Sequence, residues 1–306
     1  MDLAIKTNCL SKNFGSVQAV DCLNLQVPAG SVFGFLGPNG AGKTTTIKML
    51  LGLTRPSAGA IELLGQPATS GQYLARVGYL PDVPNFYNWM RGEEFLTFVG
   101  QLYSIPPREL KKRVAEMLEL TGLRGVTTKI GGYSRGMKQR LGLAQALINE
   151  PELVFLDEPT SALDPIGRKE VLETIGIISQ RCTVFFSTHI LADVERVCDR
   201  VGILRQGRLI LDESLAELHK RFGQQVLRLE VTGPARDLAA ELQRLPWVSA
   251  VQQENGALLV AAADIDSACV EIPRLLAARN LGLRRLEPKA LSLEDIFVRL
   301  VNDDEK

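Results

Sequence analysis

The 306-residue sequence has no excess of charge of either sign, no long apolar run and no closely paired cysteines. Each absence excludes something. Lys+Arg and Asp+Glu number 35 each, so the basic surplus usual in a nucleic-acid binder is missing, and no nucleic-acid partner is expected. The longest apolar run, residues 257–263, is far below the ~20 residues that a membrane span needs. If the protein works at a membrane, a partner must supply the spans. The start, Met1-Asp2-Leu3-Ala4-Ile5-Lys6, lacks the basic-then-apolar pattern of a secretory leader. Cys9, Cys22, Cys182, Cys198 and Cys269 are odd in number and contain no C-x-x-C spacing. They are expected to be buried or inert thiols of a reducing compartment, not a disulfide frame or a zinc site. Low-complexity segments and internal repeats are also missing. With 45% hydrophobic and 23% charged residues, the chain has apolar material for one large domain and a smaller one.

What is present begins with Gly37-Pro38-Asn39-Gly40-Ala41-Gly42-Lys43-Thr44-Thr45, which fits the phosphate-binding pattern G-x-x-x-x-G-K-[ST]. An apolar strand pattern, Ser31-Val32-Phe33-Gly34-Phe35-Leu36, precedes it. Ile47, Leu50 and Leu51 follow at helical spacing. The glycines let several backbone N–H groups turn inward at a helix N-terminus, which makes an anion nest. In such a loop Lys43 reaches the β- and γ-phosphates of a nucleotide, and the Thr44 hydroxyl ligates Mg²⁺.

Residues 3–10 and 20–27 alternate apolar and polar and predict an antiparallel pair. Short strands are expected at 61–64 and 76–80, and helices over 92–121 with a break at Pro106-Pro107. Ser134 opens a further helix. Strands are expected at 152–157 and 183–187 with a helix near 167–179 between them, then a hairpin at 201–204 and 208–211. Strands alternating with helices imply a mainly parallel sheet with an antiparallel annex. After Phe222-Gly223 the order becomes strand, helix, hairpin, helix, strand, a ferredoxin-like α+β pattern closed by a helix over 292–301. The domains are therefore set at 1–222 and 223–306.

The strand Leu153-Val154-Phe155-Leu156 ends in Asp157-Glu158. Buried as a central strand, it delivers both carboxylates to the C-terminal edge beside the phosphate loop. Asp157 is expected to hold Mg²⁺ through water, and Glu158 to act as general base or to position the attacking water.

One helix ahead of that strand stands Tyr133-Ser134-Arg135-Gly136-Met137-Lys138-Gln139. Here the chain resembles the ATP-binding cassette (ABC) family. The family signature Leu-Ser-Gly-Gly-Gln is kept at Ser134 and Gly136. Gln139-Arg140-Leu141, Glu158-Pro159-Thr160-Ser161-Ala162-Leu163-Asp164 and Ser187-Thr188-His189 also match, in the family's order. The resemblance covers residues 1–222. It implies a P-loop NTPase domain of the ABC type and an ATPase with ATP and Mg²⁺. Two cassettes would sandwich two nucleotides, so a second ATPase subunit, a homodimer partner, is implied. Ser134 and Gly136 would face the γ-phosphate held by that subunit, Asp164 would organise the dimer contact, and His189 would touch the γ-phosphate. Phe14 reads either as a core ring or as the ring that stacks on adenine. Asp82 stands where the family has Gln; it offers Mg²⁺ an oxygen on a shorter, charged side chain.

The resemblance, strengthened by Leu291-Ser292-Leu293-Glu294-Asp295-Ile296-Phe297, points to the ATPase subunit of an exporter. It would lie on the cytoplasmic face of the membrane, bound to a separate transmembrane permease. In the family, the region after Asp82 lies near the groove that receives the permease. There Tyr87 and Met90 are expected to face outward, while Phe86 and Trp89 read either as part of the same exposed cluster or as rings that pack the helical subdomain onto the sheet. An ABC ATPase acting on ribosomes or DNA, and a nucleotide-binding regulator with little turnover, are the rival readings.

Overall fold

A computed structural model describes residues 2–161, 163–222, 226–232, 235–254, 256–288 and 293–294. It separates into two compact units, Met1–Ser214 and Leu215–Lys306. The expected boundary at 223 lies eight residues later than this division. The difference is the helix Leu215–Phe222, which follows the strand Arg208–Ser214 directly and groups with the second unit.

The first unit is built on a six-stranded sheet. Its strands are β4 (Val32–Leu36), β7 (Val77–Leu80), β8 (Leu153–Asp157), β9 (Thr183–Thr188), β10 (Arg200–Arg205) and β11 (Arg208–Ser214). They lie in the order β11-β10-β4-β9-β8-β7. All neighbours are parallel except the hairpin β10–β11. Every residue of β4, β8 and β9 is buried, which is why Val32–Leu36, Leu153–Leu156 and Val184–Phe186 read as apolar runs instead of alternating ones. Phe185 of β9 stacks on Phe33 of β4 at 5.6 Å and lies 5.4 Å from Phe155 of β8.

A second, antiparallel sheet is formed by β1 (Leu3–Phe14), β2 (Val17–Leu23), β3 (Gln26–Pro28), β5 (Ala58–Leu63) and β6 (Gln66–Pro67). The expected strand over 20–27 is thus two strands, parted at Asn24-Leu25. Cys9 and Cys22 face each other across β1 and β2 and are joined by a disulfide. This corrects the expectation of unpaired thiols at those two positions. The pairing lies beside an irregularity in the β1–β2 ladder, and a sequence spacing of 13 does not reveal it. Cys182 and Cys198 are free and buried, as expected; Cys269 is also free.

Helices α1 (Lys43–Leu50), α5 (Pro165–Ile178) and α6 (Leu191–Val197) connect the strands of the parallel sheet. A helical subdomain, α2 (Gly92–Leu102), α3 (Pro107–Leu120) and α4 (Arg135–Leu147), packs around Phe95, Leu96, Leu110, Val114 and Leu141. Pro107 starts α3, where its missing N–H costs nothing.

In the second unit the helix Leu215–Phe222, α7, precedes the expected pattern. β12 (Val226–Val231), α8 (Ala235–Leu242), β13 (Val248–Glu254), β14 (Ala257–Ala262), α9 (Ile265–Ala278) and β15 (Leu283–Pro288) follow in the ferredoxin-like order. The sheet runs β13-β14-β12-β15, all antiparallel, over a core of Leu227, Leu229, Leu258, Val260, Ile272 and Leu276. Of the closing helix expected over 292–301, only Leu293 and Glu294 are described, and they are helical; the rest lies outside the described residues.

Candidate functional site

The loop 37–42 leaves β4 and enters α1. Its geometry depends on two glycines. Gly42, the N-cap of α1, has φ +107°, and a Cβ there would lie 2.4 Å from the Ala19 carbonyl oxygen. A Cβ on Gly37 would lie 2.4 Å from that of Leu204. Glycine at both positions lets the backbone pass this close. The N–H groups of the first turn of α1 have no carbonyl one turn back, so they point into the concavity of the loop.

Lys43 is 5% exposed. A buried ammonium needs partners, and it has three. It donates to the carbonyls of Gly37 (2.7 Å) and Pro38 (3.3 Å), and its Nζ stands 3.1 Å from Glu158 Oε1. The last contact is an ion pair by distance only, since its geometry leaves Oε1 without a hydrogen bond. Glu158 Oε2 lies 2.8 Å from His189 Nδ1. One carboxylate therefore touches both the loop lysine and the histidine at the end of β9. Glu158 has a left-handed backbone, φ +48°, a conformation that costs a non-glycine residue roughly 1–3 kcal/mol. Its N–H donates to the Ser187 carbonyl at 3.0 Å, which fixes the turn.

Asp157 is fully buried. Its Oδ1 accepts a hydrogen bond from Ser187 Oγ at 2.6 Å, while Oδ2 has no partner. Burial pushes this carboxyl above its ordinary value. The neighbouring hydroxyls of Ser187 and Thr44 oppose the shift, and the charges of Asp82 and Glu158 add to it. Among the described residues no cluster of three or more His, Cys, Asp or Glu could hold a metal alone. The Thr44 hydroxyl and the unpartnered Asp157 oxygen fit a hard cation that takes its remaining ligands from water and phosphate, as Mg²⁺ does. Asp82 follows β7, and its Oδ1 accepts a hydrogen bond from Ser161 Oγ at 3.2 Å.

Pro38, Asn39, Gly40 and Thr44 are exposed on the loop, Ala41 is buried and Thr45 is half-buried. Ser134 is exposed and caps α4 by accepting from the Met137 N–H at 3.2 Å; Gly136, in the first turn, is half-buried. Asp164 caps α5 in the same way through the Gly167 N–H. Among the described residues neither bonds to the Lys43–Asp157–Glu158–His189 group. Phe14 is 52% exposed with Lys12 Nζ 4.8 Å above its ring, which removes the core reading. In the aromatic segment, Trp89 (65% exposed) and Tyr87 face outward, and their rings are 4.8 Å apart. Phe86 packs edge-on against Phe95, and Met90 packs into the helical subdomain. The expected pairing of outward residues, Tyr87 with Met90, is thus corrected to Tyr87 with Trp89.

Sequence reasoning assigned no role to Ser187, which orients Asp157, although it stands in the matching stretch Ser187-Thr188-His189. It also missed α6 and its buried Asp193, because seven residues are too few for a helical stripe to stand out.

Residues 20–161 match the family model described as ABC transporter. Residues 214–301 match that of the ATP-binding protein DrrA1-3-like, C-terminal domain. An uncharacterized ABC transporter ATP-binding protein of Bacillus subtilis, YxlF, is 41% identical over 98% of this chain and 99% of its own. The Nod factor export ATP-binding protein I of a Rhizobium species (strain N33) is 36% identical over 97% of each. A solved ATP-binding subunit of an ABC transporter superposes with TM-score 0.66 and 29% identity, covering 79% of this chain and all of that one. With these relatives matched almost end to end and the phosphate loop facing its two acids, the chain belongs to the ATP-binding subunits of ABC transporters. It is an ABC-type ATPase with a DrrA-like C-terminal domain.

Proposed function

We propose that this chain drives export by hydrolysing Mg·ATP at a site shared between two cassettes. In this reading a separate transmembrane permease carries the cargo, and the chain lies on the cytoplasmic face of the membrane against it. The observation that carries the chemistry is the position of Glu158, in contact with both Lys43 and His189. Lys43 and the loop 37–45 bind the phosphates, and Phe14 stacks on adenine. Thr44 and Asp157 hold Mg²⁺, which when bound neutralises charge developing on the phosphates. Glu158 orients water and takes its proton, and His189 contacts the γ-phosphate.

Ser134 and Gly136 begin a helix whose exposed N-terminus suits a phosphate presented by another chain. Asp164 lies at the dimer contact, and Asp82, which accepts a hydrogen bond from Ser161, would offer Mg²⁺ a further carboxylate oxygen. The C-terminal domain, residues 223–306 by its sequence pattern, regulates or steadies the dimer. Among the described residues no helix is long and apolar enough to cross a membrane, which supports a separate permease. The exposed rings of Tyr87 and Trp89 suit a helix of that partner, since interface anchors favour Tyr and Trp. Export as the direction is supported by the Rhizobium relative, a Nod factor export ATP-binding protein.

The test is isolation of the full chain from its native membranes. Co-isolation of a polytopic protein, with ATP turnover abolished by Glu158→Gln, is expected. Recovery with ribosomes or DNA, and no membrane protein, would overturn the reading.

A further inference from the structure

Asp193 lies in the first turn of α6 and is 1% exposed. A carboxylate buried that deeply must be paired. Both oxygens are: Oδ2 accepts from Thr160 Oγ1 at 2.6 Å and Oδ1 from Arg168 Nε at 2.6 Å. Thr160 is also 1% exposed, whereas the Arg168 side chain is about one-third exposed and supplies the neutralising charge from the solvent side. The three residues come from three segments: the turn after β8, α5 and α6.

Their spacing from the reacting groups gives the cluster its consequence. Thr160 follows Glu158 by two residues, and Asp193 follows His189 by four. Glu158 and His189 touch at 2.8 Å on the open side, and Thr160 and Asp193 clasp at 2.6 Å on the buried side. The two short chain segments and the two contacts close a ring. The β8–β9 ladder ends at Asp157 and Ser187, so beyond it the clasp ties together the two turns that carry Glu158 and His189. Glu158 sits in a strained left-handed conformation, which persists only where its surroundings over-determine it. The clasp is one such constraint.

We propose that Asp193, anchored by Arg168, is a positioning residue for ATP hydrolysis: through Thr160 it keeps Glu158 and His189 in register. This rests on the ATPase roles proposed above for those two residues. The hydrogen bonds of Asp193 go to Thr160 and Arg168, so it acts through the turn geometry. A misplacement of about 1 Å at a reacting group can cost about a hundredfold in rate.

Asp193→Ala would strand the Thr160 hydroxyl and free Arg168, and so risks the fold itself. Thr160→Val is the informative variant, since it keeps the shape and leaves the Asp193–Arg168 pair in place. In the full chain, Thr160→Val is expected to lower kcat for Mg·ATP by roughly ten- to a hundredfold, with KM and the ATP dissociation constant within about twofold of the parent. Thr160→Ser, which restores the hydroxyl, is expected to recover most of the rate. A purely structural role would lower the melting temperature and leave the kcat of folded protein unchanged. The inference is overturned if Thr160→Val turns over normally, if it loses rate and ATP affinity together, or if Thr160→Ser gives no recovery. Glu158→Gln serves as the control. Turnover that survives Glu158→Gln, or its absence in the unmodified chain, overturns the roles underlying the inference and the inference with them. Turnover that Glu158→Gln removes and Thr160→Val leaves intact overturns the inference alone.

Discussion

Lys43 Nζ and Glu158 Oε1 stand 3.1 Å apart, each on a nearly buried side chain. The cation proposed to meet phosphate and the anion proposed to activate water are thus each other's counter-ion. On that proposal, a phosphate entering the loop would compete with Glu158 for the lysine and leave the carboxylate to His189 and to water.

Separating those two roles is the first prediction. Glu158→Gln should keep ATP binding and slow hydrolysis, since a positioned base contributes ~10²–10⁴-fold. Lys43→Ala should instead weaken binding, because each hydrogen bond from the ammonium to phosphate is worth roughly 1.5–3 kcal/mol. Equilibrium nucleotide binding and single-turnover rates distinguish the two. Near-normal turnover in Glu158→Gln would move the base elsewhere.

A second prediction concerns Ser134, which caps its own helix and bonds to no member of the Lys43–Glu158 group among the described residues. Ser134→Arg should leave ATP binding by the monomer intact and abolish turnover by the dimer. Calorimetric titration against ATPase rate checks this. A monomer that binds ATP as poorly as Lys43→Ala would refute a shared site.

The third follows from Asp157. Its carboxyl is raised by burial above the ordinary 3.8. The folded state therefore holds more protons than the unfolded state from about pH 3.8 up to the raised value, and stability falls as pH rises through that window. In metal-free protein, Asp157→Asn should remove this fall and melt at a higher temperature than the parent at neutral pH. With Mg·ATP added the order should reverse, because only the carboxylate gains a cation. Melting curves in EDTA across pH, and in Mg·ATP, give both readings. A parent whose stability in EDTA rises through that window, when Asp157→Asn does not, contradicts the assignment.

The fourth concerns Tyr87 and Trp89, whose neighbouring rings are exposed while Met90 is packed. Changing both to Ser should barely affect ATPase of the isolated chain and should weaken recruitment to membranes that contain the permease. Flotation of the double variant with such membranes measures this. Normal recruitment would place docking elsewhere.

The residues legible in advance were those whose chemistry forces a local pattern. Gly37, Gly42 and Lys43 announce the loop because only those residue types make it, and the apolar run before Asp157 announces a strand buried on both faces. What escaped depended on partners distant in sequence. The Cys9–Cys22 bridge lies beside an irregularity in the ladder of two strands. The outward turn of Trp89 and the inward turn of Met90 depend on what the helical subdomain offers each of them. Asp193 resembles any surface acid until Thr160 and Arg168 are brought to it from 33 and 25 residues away.

The strand order sets a ruler across the site. Along the chain the loop-bearing strand β4 precedes β8 and then β9, but in space β9 lies between the other two. The strands that carry the phosphate loop and the paired acids are therefore two ladder spacings apart, about 10 Å, with His189 rising from the strand between them. Hydrogen bonds fix that width, so changes in loop length cannot retune it; only side-chain reach can. Asp82 follows β7, one rung further out and about 14 Å from the loop's strand. At that rung each methylene of side-chain length matters, and the short acid found there is held by Ser161, a neighbour on its own side of the gap.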